Sequence, residues 1–396
     1  MPPPIKTLLF STLFPSSVRP VHGIFVETRL RELLKTGEVE TKVVAPVPWF
    51  PFSGKRFGEY GQFAATPGFE HRNGIDVSHP RYFLPPKVGM NVAPHTLAAC
   101  AMPTIRKLLQ DGFDFDLIDA HYYYPDGVAA GIIAKQLGKP FVVTARGTDL
   151  NLIPQHAYPR KLIIQTAAAA FASIGVCKAL MDSLAGLGAE PNKLHVFRNG
   201  VDLERFRPEE ASLTRKKLGL PGDRTILLSV GHLVERKGHH IAIEALVKLP
   251  ENVFLVIAGS GPERQSLEAL AGKLGVADKV RFTGQLENSD LRSWYSAADA
   301  LVLCSSREGW ANVLLESMAC GTPVIATNIW GTPEVVSTPV AGRLMADRTP
   351  AALALSFAAL FADYPSRADV RAHAEKFSWE TTTASQLTLF RSMTGA

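Results

Sequence analysis

The sequence predicts an α/β protein of two successive doubly wound domains, each with its own parallel sheet. Three observations carry this. At 396 residues the chain exceeds what one hydrophobic core usually supports. Short apolar, β-branched runs alternate with longer helix-like segments, the pattern of βα units, and the alternation occurs in two series. Between the series lies NGVDLERFRPEEASLTRKKLGLPGD (Asn199 to Asp223), polar and punctuated by Pro and Gly, which reads as the interdomain connection.

In the first series the expected strands are Thr7–Ser11, Lys42–Val47, Leu117–Ala120, Phe141–Thr144, Ser173–Val176 and Leu194–Arg198. In the second they are Thr225–Val230, Val253–Ala258, Val280–Thr283, Ala300–Cys304, Pro323–Ala326 and Gly342–Met345. The break is expected near residue 205, giving domains 1–204 and 205–375. Pro46 to Pro94, rich in Pro, Gly and aromatics, reads as a long loop region with one or two short elements. The end of the chain, 376–396, holds a helix over Trp379 to Ser392, expected to pack back toward the N-terminal domain. The apolar faces Ile241–Leu246 and Leu353–Leu360 are expected in the core.

Hydrophobic residues make up 46% of the chain and charged ones 20%, without a tract that marks disorder. The opening MPPPIKTLLFSTLFPSSVRP reads as a first buried strand, not a signal peptide, because no small-residue cleavage site follows its apolar run. The apolar run from Ala167 to Val176 falls short of the ~18 residues of a membrane span. Cys100, Cys177, Cys304 and Cys320 form neither a CxxC pair nor a dense framework, which fits a reducing cytoplasm and argues against a zinc site. The net charge of +5 is uneven: residues 1–200 carry 21 Lys/Arg against 15 Asp/Glu, residues 201–396 carry 21 against 22. No basic run with interleaved aromatics points to nucleic acid. The basic first half leaves two readings open, peripheral contact with a membrane surface or anionic acceptor, and simple solubility.

The most informative stretch is SSREGWANVLLESMACGTPVIAT (Ser305 to Thr327). A strand ends, a Gly-containing loop follows, and a helix is expected from near Ala311 to Cys320. Backbone N–H groups of Gly309, Trp310, Ala311, Asn312 and Val313 would then lie at a helix N-terminus beside the sheet's C-terminal edge, a seat for phosphate. Glu308 in the loop and Glu316 on the helix suit ligand hydroxyls, because carboxylates accept charge-assisted hydrogen bonds. A second constellation, LLSVGHLVERKGHHIAIEAL, carries His232, Arg236 and Lys237 on the first βα loop of the second domain. That loop faces the same edge, where the cations could neutralise a diphosphate. Taken alone, both sets also fit ordinary solvated side chains.

With these in view the chain resembles family 4 glycosyltransferases of the GT-B fold. Glu308 and Glu316 match the EX7E element, and Gly231 to Gly238 resembles the family's G-R-x-x-x-x-K-G loop. KLHVFRNGVDLERFRP (Lys193 to Pro208) looks like its interdomain signature, VRFTGQL (Val280 to Leu286) like its base-binding turn, and FPSSVRPVHGIFVETRLREL (Phe14 to Leu33) like its Gly-bearing acceptor-side loop. AHYYYPDGVAAGIIAKQLGKPFVVTARGTDLN (Ala120 to Asn151) resembles the N-terminal core. The resemblance spans about residues 5 to 385 and implies two Rossmann-like domains with parallel sheets facing a central cleft.

It implies that Glu308 binds the donor sugar's hydroxyls, Glu316 the ribose and Lys237 the diphosphate, while Gln285 and Leu286 line the nucleobase site. Gly309 to Val313 contribute backbone donors, with Trp310 either covering the donor or packing. Gly23, His121 and the Arg146–Asp149 loop are implied to meet sugar and acceptor. Glu308, Lys237 and His121 are the expected catalytic residues. His232 stands where the family usually has Arg, which shifts neutralisation toward Arg236 or Arg146. Arg146 itself replaces a His.

FDFD (Phe113 to Asp116) imitates a metal-binding Asp-x-Asp, but it precedes a strand, at the wrong edge of a parallel sheet, so no metal is expected. Tyr122, Tyr123 and Tyr124 could line an acceptor platform or pack. The cluster AGSGPERQ (Ala258 to Gln265) lacks the third glycine of a dinucleotide fingerprint. The expected reaction moves a sugar from a nucleoside-diphosphate sugar to an acceptor hydroxyl with retention, as the family implies, with no cofactor. A glycan or lipid-linked acceptor in cell-surface polysaccharide or glycolipid assembly is expected by analogy. A sugar-nucleotide epimerase and a non-catalytic sugar-nucleotide-binding protein are the alternatives.

Overall fold

The computed structural model describes residues 3–85 and 88–395. The chain divides into two compact units, Met1–Arg198 with Thr381–Ala396, and Asn199–Glu380.

In the first unit the strands are β1 (Ile5–Phe10), β2 (Val39–Val44), β3 (Val47–Pro48), β4 (Phe69–Arg72), β5 (Ile75–Ser78), β6 (Arg81–Tyr82), β7 (Leu117–His121), β8 (Phe141–Ala145), β9 (Ala172–Gly175) and β10 (Leu194–Val196). Eight form one sheet in the order β10-β9-β8-β7-β1-β2-β5-β4, parallel except for β4, while β3 and β6 pair separately. β1 lies between β2 and β7, with Thr7 opposite Thr41 on one side and Leu117 on the other. β7 and β8 are buried along their whole length, as expected for central strands covered by helices on both faces.

The second unit holds β11 (Thr225–Val230), β12 (Val253–Ala258), β13 (Val280–Gly284), β14 (Ala300–Leu303), β15 (Val324–Thr327) and β16 (Gly342–Met345), all parallel, in the order β13-β12-β11-β14-β15-β16. This is doubly wound strand order. The connections leaving β11 and β14 diverge to opposite sides, which opens a crevice at the C-terminal ends of those two strands. The first unit has the equivalent crevice between β1 and β7. In the second unit the core joins Ile241, Ile243 and Leu246 with Leu353, Phe357 and Leu360, each worth about 1.5–3 kcal/mol of transfer free energy when fully buried.

Two features differ from expectation. The segment from Pro46 to Pro94 is more structured than a loop: it contains a helix over Gly58–Ala65, the β4–β5 hairpin and the start of the helix Gly89–Gln110. Asn73 and Gly74 both take positive φ, 49° and 81°, and turn the hairpin, so that buried Ile75 and Val77 place β5 beside β2. Residues 86 and 87 of that segment lie outside the described residues. The expected helix end at Cys320 is a residue long, since the helix runs Asn312–Ala319.

The final helix, Trp379–Thr394, sets Leu387, Leu389 and Phe390 into a core with Ile5, Leu33, Leu117, Val142 and Ile174. The Asp-x-Asp imitation is surface structure. Asp114 pairs with Lys139 at 2.7 Å, and Asp116 accepts the Lys6 amide at 2.8 Å just ahead of β7.

Candidate functional site

The second unit's crevice brings together three of the expected residues. β11 ends at Val230, and the loop that starts at Gly231 closes through a 3-10 turn, Glu235–Lys237, before the helix His239–Ala245. β14 ends at Leu303 and runs into Ser305–Glu308. Lys237 Nζ donates to Glu308 Oε1 at 2.6 Å, Ser305 Oγ donates to the same oxygen at 2.6 Å, and an Arg236 guanidinium nitrogen stands 4.0 Å from it. The Glu308 carboxylate is only 9% exposed. Its burial is offset by two donors and a cation, so it sits as a fixed negative charge rimmed by positive ones.

The loops can approach this closely because of Gly238. It takes φ 72°, and a Cβ there would stand 2.0 Å from Cys304 O. Any larger residue would push the lysine turn off the end of β14. Arg348 fixes the same turn, donating to Cys304 O at 2.9 Å and to the Glu235 carboxylate and carbonyl at 2.7 and 2.6 Å. Sequence reasoning missed Arg348: it comes about 110 residues after the loop it braces, and no periodicity marks such a contact.

The helix start lies slightly later than expected. Helical geometry begins at Asn312, and Ala311 at the N-cap offers no side-chain acceptor. The amides of Asn312 and Val313 therefore head the helix without intrahelical partners, while Gly309 and Trp310 belong to the preceding loop. Trp310 packs: it is buried, with its ring centroid 5.9 Å from that of Phe377. Its placement favours packing over covering a ligand. Glu316, on the second turn, accepts a hydrogen bond from the Tyr295 hydroxyl at 2.9 Å, and burial pushes its carboxyl up to about 7. His232 is exposed. On the loop after β13, Gln285 is exposed and accepts from Ser260 Oγ at 3.2 Å, with Leu286 partly buried beside it.

In the first unit Gly23, φ 66°, caps the helix Ile24–Leu34, and a Cβ there would stand 2.3 Å from Leu13 O. Only a glycine lets the loop after β1 fold onto that helix start. The Arg146 guanidinium lies 5.4 Å from the centroid of Phe25, two residues into the same helix.

His121 is 1% exposed, at the end of β7. Arg146 can only donate, so His121 Nδ1 accepts from it and Nε2–H donates to Asp119 Oδ2 at 3.2 Å. Burial holds the imidazole down to about 4, and Asp119 opposes that only in part, so the ring is neutral. Both of its nitrogens are engaged inside the protein. Asp119 is held in turn by Gln386 of the final helix, whose amide donates to it at 3.1 Å while its oxygen accepts from Arg29 at 2.9 Å. Burial lowers Arg29 to about 10.

Asp149 lies inside the protein. It was expected on the sugar and acceptor side, but it is fully buried, and both its oxygens accept backbone amides, from Tyr123 at 2.7 Å, Gly147 at 2.6 Å and Arg146 at 3.1 Å. It shapes the loop that carries Arg146. Tyr123 and Tyr124 are likewise buried, Tyr123 against Ser173 Oγ at 2.9 Å. A carboxylate that the sequence did not suggest, Asp126, accepts from the amide and hydroxyl of Thr12 at 3.1 and 2.9 Å. Burial raises it to about 8. Beside Thr12, at the same sheet edge, a cavity of about 320 Å³ is lined by Arg19, His22, Glu59, Phe63 and Tyr82.

Comparison with known proteins gives the family and the fold. The family model for glycosyl transferases group 1 matches residues 211–377, and that for glycosyltransferase family 4 matches residues 56–205. A protein of Bacillus subtilis (strain 168) named as a teichuronic acid biosynthesis glycosyltransferase, TuaC, is 32% identical over 83% of this chain and 82% of its own. The D-inositol 3-phosphate glycosyltransferase of Xylanimonas cellulosilytica is 33% identical over 71% and 72%. Among solved structures, sucrose-phosphate synthase from Thermosynechococcus elongatus superposes with a TM-score of 0.78 at 20% identity, covering 98% of this chain and 99% of that one. Anabaena HepE in complex with UDP and glucose gives 0.74 at 20% identity, covering 98% and 100%. Both likenesses show the GT-B fold. With crevice, motif order and relatives in accord, the chain belongs to the family 4 glycosyltransferases and is a glycosyltransferase.

Proposed function

We propose that the enzyme moves a sugar from a nucleoside-diphosphate sugar to an acceptor hydroxyl with retention of anomeric configuration. The observation that carries this is the Lys237–Glu308 pair at the second unit's crevice, joined by Arg236 and the amides heading the Asn312–Ala319 helix. A diphosphate takes the cations and amides, and Glu308, released from Lys237, accepts hydrogen bonds from the sugar's hydroxyls. Glu316 holds the ribose, and Gln285 and Leu286 the base. Three structures of Anabaena HepE, in complex with UDP, with UDP and glucose, and with UDP-glucose, support this choice of donor.

In the transfer step the bond from the anomeric carbon to the diphosphate oxygen breaks. A new bond forms on the same face to the acceptor oxygen, whose proton passes to the departing phosphate. Lys237, Arg236 and the helix amides stabilise the growing phosphate charge, and such preorganised electrostatics is usually the largest catalytic contribution. Because these groups already supply positive charge, the proposal includes no metal. On the first unit, Arg146 and the cavity near Arg19 and His22 serve the acceptor side, with His121 setting the position of Arg146. The acceptor in this reading is a glycan or lipid-linked acceptor of cell-surface assembly, which the name of the teichuronic acid relative supports.

The test is a thermal-shift screen against nucleoside-diphosphate sugars, followed by NMR of the product formed from the best stabiliser. A ligand that binds the folded state alone raises the melting temperature, by about 2.7 kcal/mol of stability at a hundredfold excess over Kd. If no sugar nucleotide shifts the transition, or the product's anomeric centre is inverted, the reading fails. Release of free sugar products without acceptor would favour an epimerase.

A further inference from the structure

The cavity of about 320 Å³ in the first unit is bounded by the loop that follows β1, by residues just beyond β2 and β5, and by the helix Gly58–Ala65. Its size is at the lower end of small-molecule pockets and suits one monosaccharide residue. Among the described residues that line it, Arg19 is the only lysine or arginine and Glu59 the only carboxylate. The Arg19 backbone is fixed by Ser16: its amide donates to Ser16 O at 3.2 Å and Ser16 Oγ at 3.1 Å, and its carbonyl accepts from Ser16 N at 3.3 Å. The guanidinium lies 4.8 Å from the centroid of Phe63.

Only Nη2 of that guanidinium is engaged. It donates to His22 Nδ1 at 3.1 Å and to Glu59 Oε1 at 2.7 Å, while Nε and Nη1 meet no acceptor among the described residues. Because arginine can only donate, His22 Nδ1 accepts, and its Nε2–H donates to Thr12 O at 3.1 Å. The imidazole is therefore uncharged, and Glu59 is the counter-charge. The two partners are unequally held: the Arg19 side chain is 18% exposed, that of Glu59 62%. An ion pair with one partner in water is weak, so this carboxylate exchanges readily for another oxyanion. His79 offers the cavity no free donor, since its ring nitrogens lie on Ala45 O and Glu70, both at 2.9 Å. Tyr82 does. It is 5% exposed, its hydroxyl makes no hydrogen bond among the described residues, and it lies within electrostatic reach of Arg19. Beyond Thr12, burial raises Asp126 to about 8, so at neutral pH no negative charge there repels an anion.

We propose that Arg19 selects an acceptor sugar that carries an oxyanion, a carboxylate or a phosphate, and that Glu59 holds the oxyanion's place until it binds. The incoming group takes Nη2 from Glu59 together with a neighbouring N–H of the same guanidinium. That bidentate pairing is the one a planar fork favours and the single contact to Glu59 leaves unused. The Tyr82 hydroxyl donates to the oxyanion or to a ring hydroxyl. Tyr60, 55% exposed and 5.9 Å from Phe63, presents an aromatic face to the sugar's C–H groups. A neutral hexose either leaves the Arg19–Glu59 pair closed or breaks it without replacing it, and selectivity follows from that difference. The inference rests on the reading of this cavity as the acceptor side and adds the acceptor's charge.

Calorimetric titration of the full chain with methyl glucoside, methyl glucuronoside and a phosphorylated methyl glucoside tests it. Wild type is expected to bind at least one anionic probe about tenfold more tightly than methyl glucoside, with the difference shrinking as salt rises. Which anionic probe binds better separates a carboxylate from a phosphate as the natural group. Arg19→Gln is expected to erase the preference while keeping the affinity for methyl glucoside. Glu59→Gln removes the competing carboxylate and is expected to tighten the anionic probe several-fold, the opposite of what breaking a merely structural ion pair would do. Equal affinity of wild type for neutral and anionic probes, binding of none of them, a preference that survives Arg19→Gln, or weaker anion binding by Glu59→Gln overturns the proposal. The thermal shift given by a sugar nucleotide is read on the same proteins. A shift without anion preference sinks this inference alone, and anion preference without a shift sinks the donor reading alone.

Discussion

Lys237 Nζ meets Glu308 Oε1 at 2.6 Å across the crevice where the strand order of the second unit reverses. The two residues arrive there from βα loops 71 positions apart, and their contact ties the two loops together.

Replacing Glu308 by Gln should lower kcat/KM by about 10²–10³, the usual scale for one preorganised charge interaction. Glu308→Ala should do at least as much. Lys237→Met should act similarly, and the double variant should cost less than the sum because the residues interact directly. Steady-state kinetics of the four proteins, with circular dichroism to verify folding, measures this. Near-native turnover of Glu308→Ala would overturn the site assignment.

Glu316 makes stability depend on pH in a specified direction. Its folded carboxyl titrates at about 7, against an ordinary value of 4.5. Between those values the native state holds more protons than the unfolded state, so stability falls as pH rises. The contribution is complete below the ordinary value and gone above about 7. Glu316→Gln mimics the protonated form, so the unliganded variant should be the more stable protein at pH 8, by up to about 3 kcal/mol, and should match wild type at pH 4. Urea midpoints for both proteins at the two pH values give the comparison, and a gap that does not grow with pH contradicts it.

Gly238→Ala should be costly for its size. The added carbon would meet Cys304 O, and the backbone is left-handed at φ 72°, which alone costs a non-glycine residue about 1–2 kcal/mol. The lysine turn should move, raising the donor KM together with a loss of melting temperature. Arg348→Ala, which loosens the same turn without a clash, should raise the donor KM several-fold with a smaller loss of stability. Parallel thermal melts and initial rates separate the two effects.

Gln386 links the last helix to the buried polar chain of unit 1, between Arg29 and Asp119. Gln386→Leu would leave a buried carboxylate and guanidinium short of a partner, a loss of about 1–3 kcal/mol. Gln386→Glu should recover the Arg29 contact but place a second carboxylate beside Asp119. The expected kinetic signature is a fall in kcat with the donor KM unchanged, since the chain ends on His121 and Arg146 and not at the donor site. An unchanged kcat in a folded Gln386→Leu protein would confine the chain to a structural role.

Much of the fold was legible in the sequence because each central strand is a short β-branched run between glycine-bearing turns, and burial on both faces leaves no other pattern. The hairpin around Asn73–Gly74 was overlooked, although Asn-Gly is a strong turn signal, because the surrounding Pro and aromatic residues mask the alternation. That Lys237 and Glu308 stand on loops at one sheet edge could be read from the sequence. The burial of Asp149 and His121 could not, since a buried Asp and an exposed Asp look alike in a string of letters.

By itself, then, the sequence determined two doubly wound sheets and the loops that carry charge to their C-terminal edges, because strand period and turn residues act locally. Only the tertiary structure decided which polar groups touch: Glu308 to Lys237, Arg348 to the Glu235 turn, Gln386 to Asp119. Those pairings join residues 71, 113 and 267 positions apart. The first and last gain strength from removal from water, which the packing of whole units supplies and no local pattern encodes.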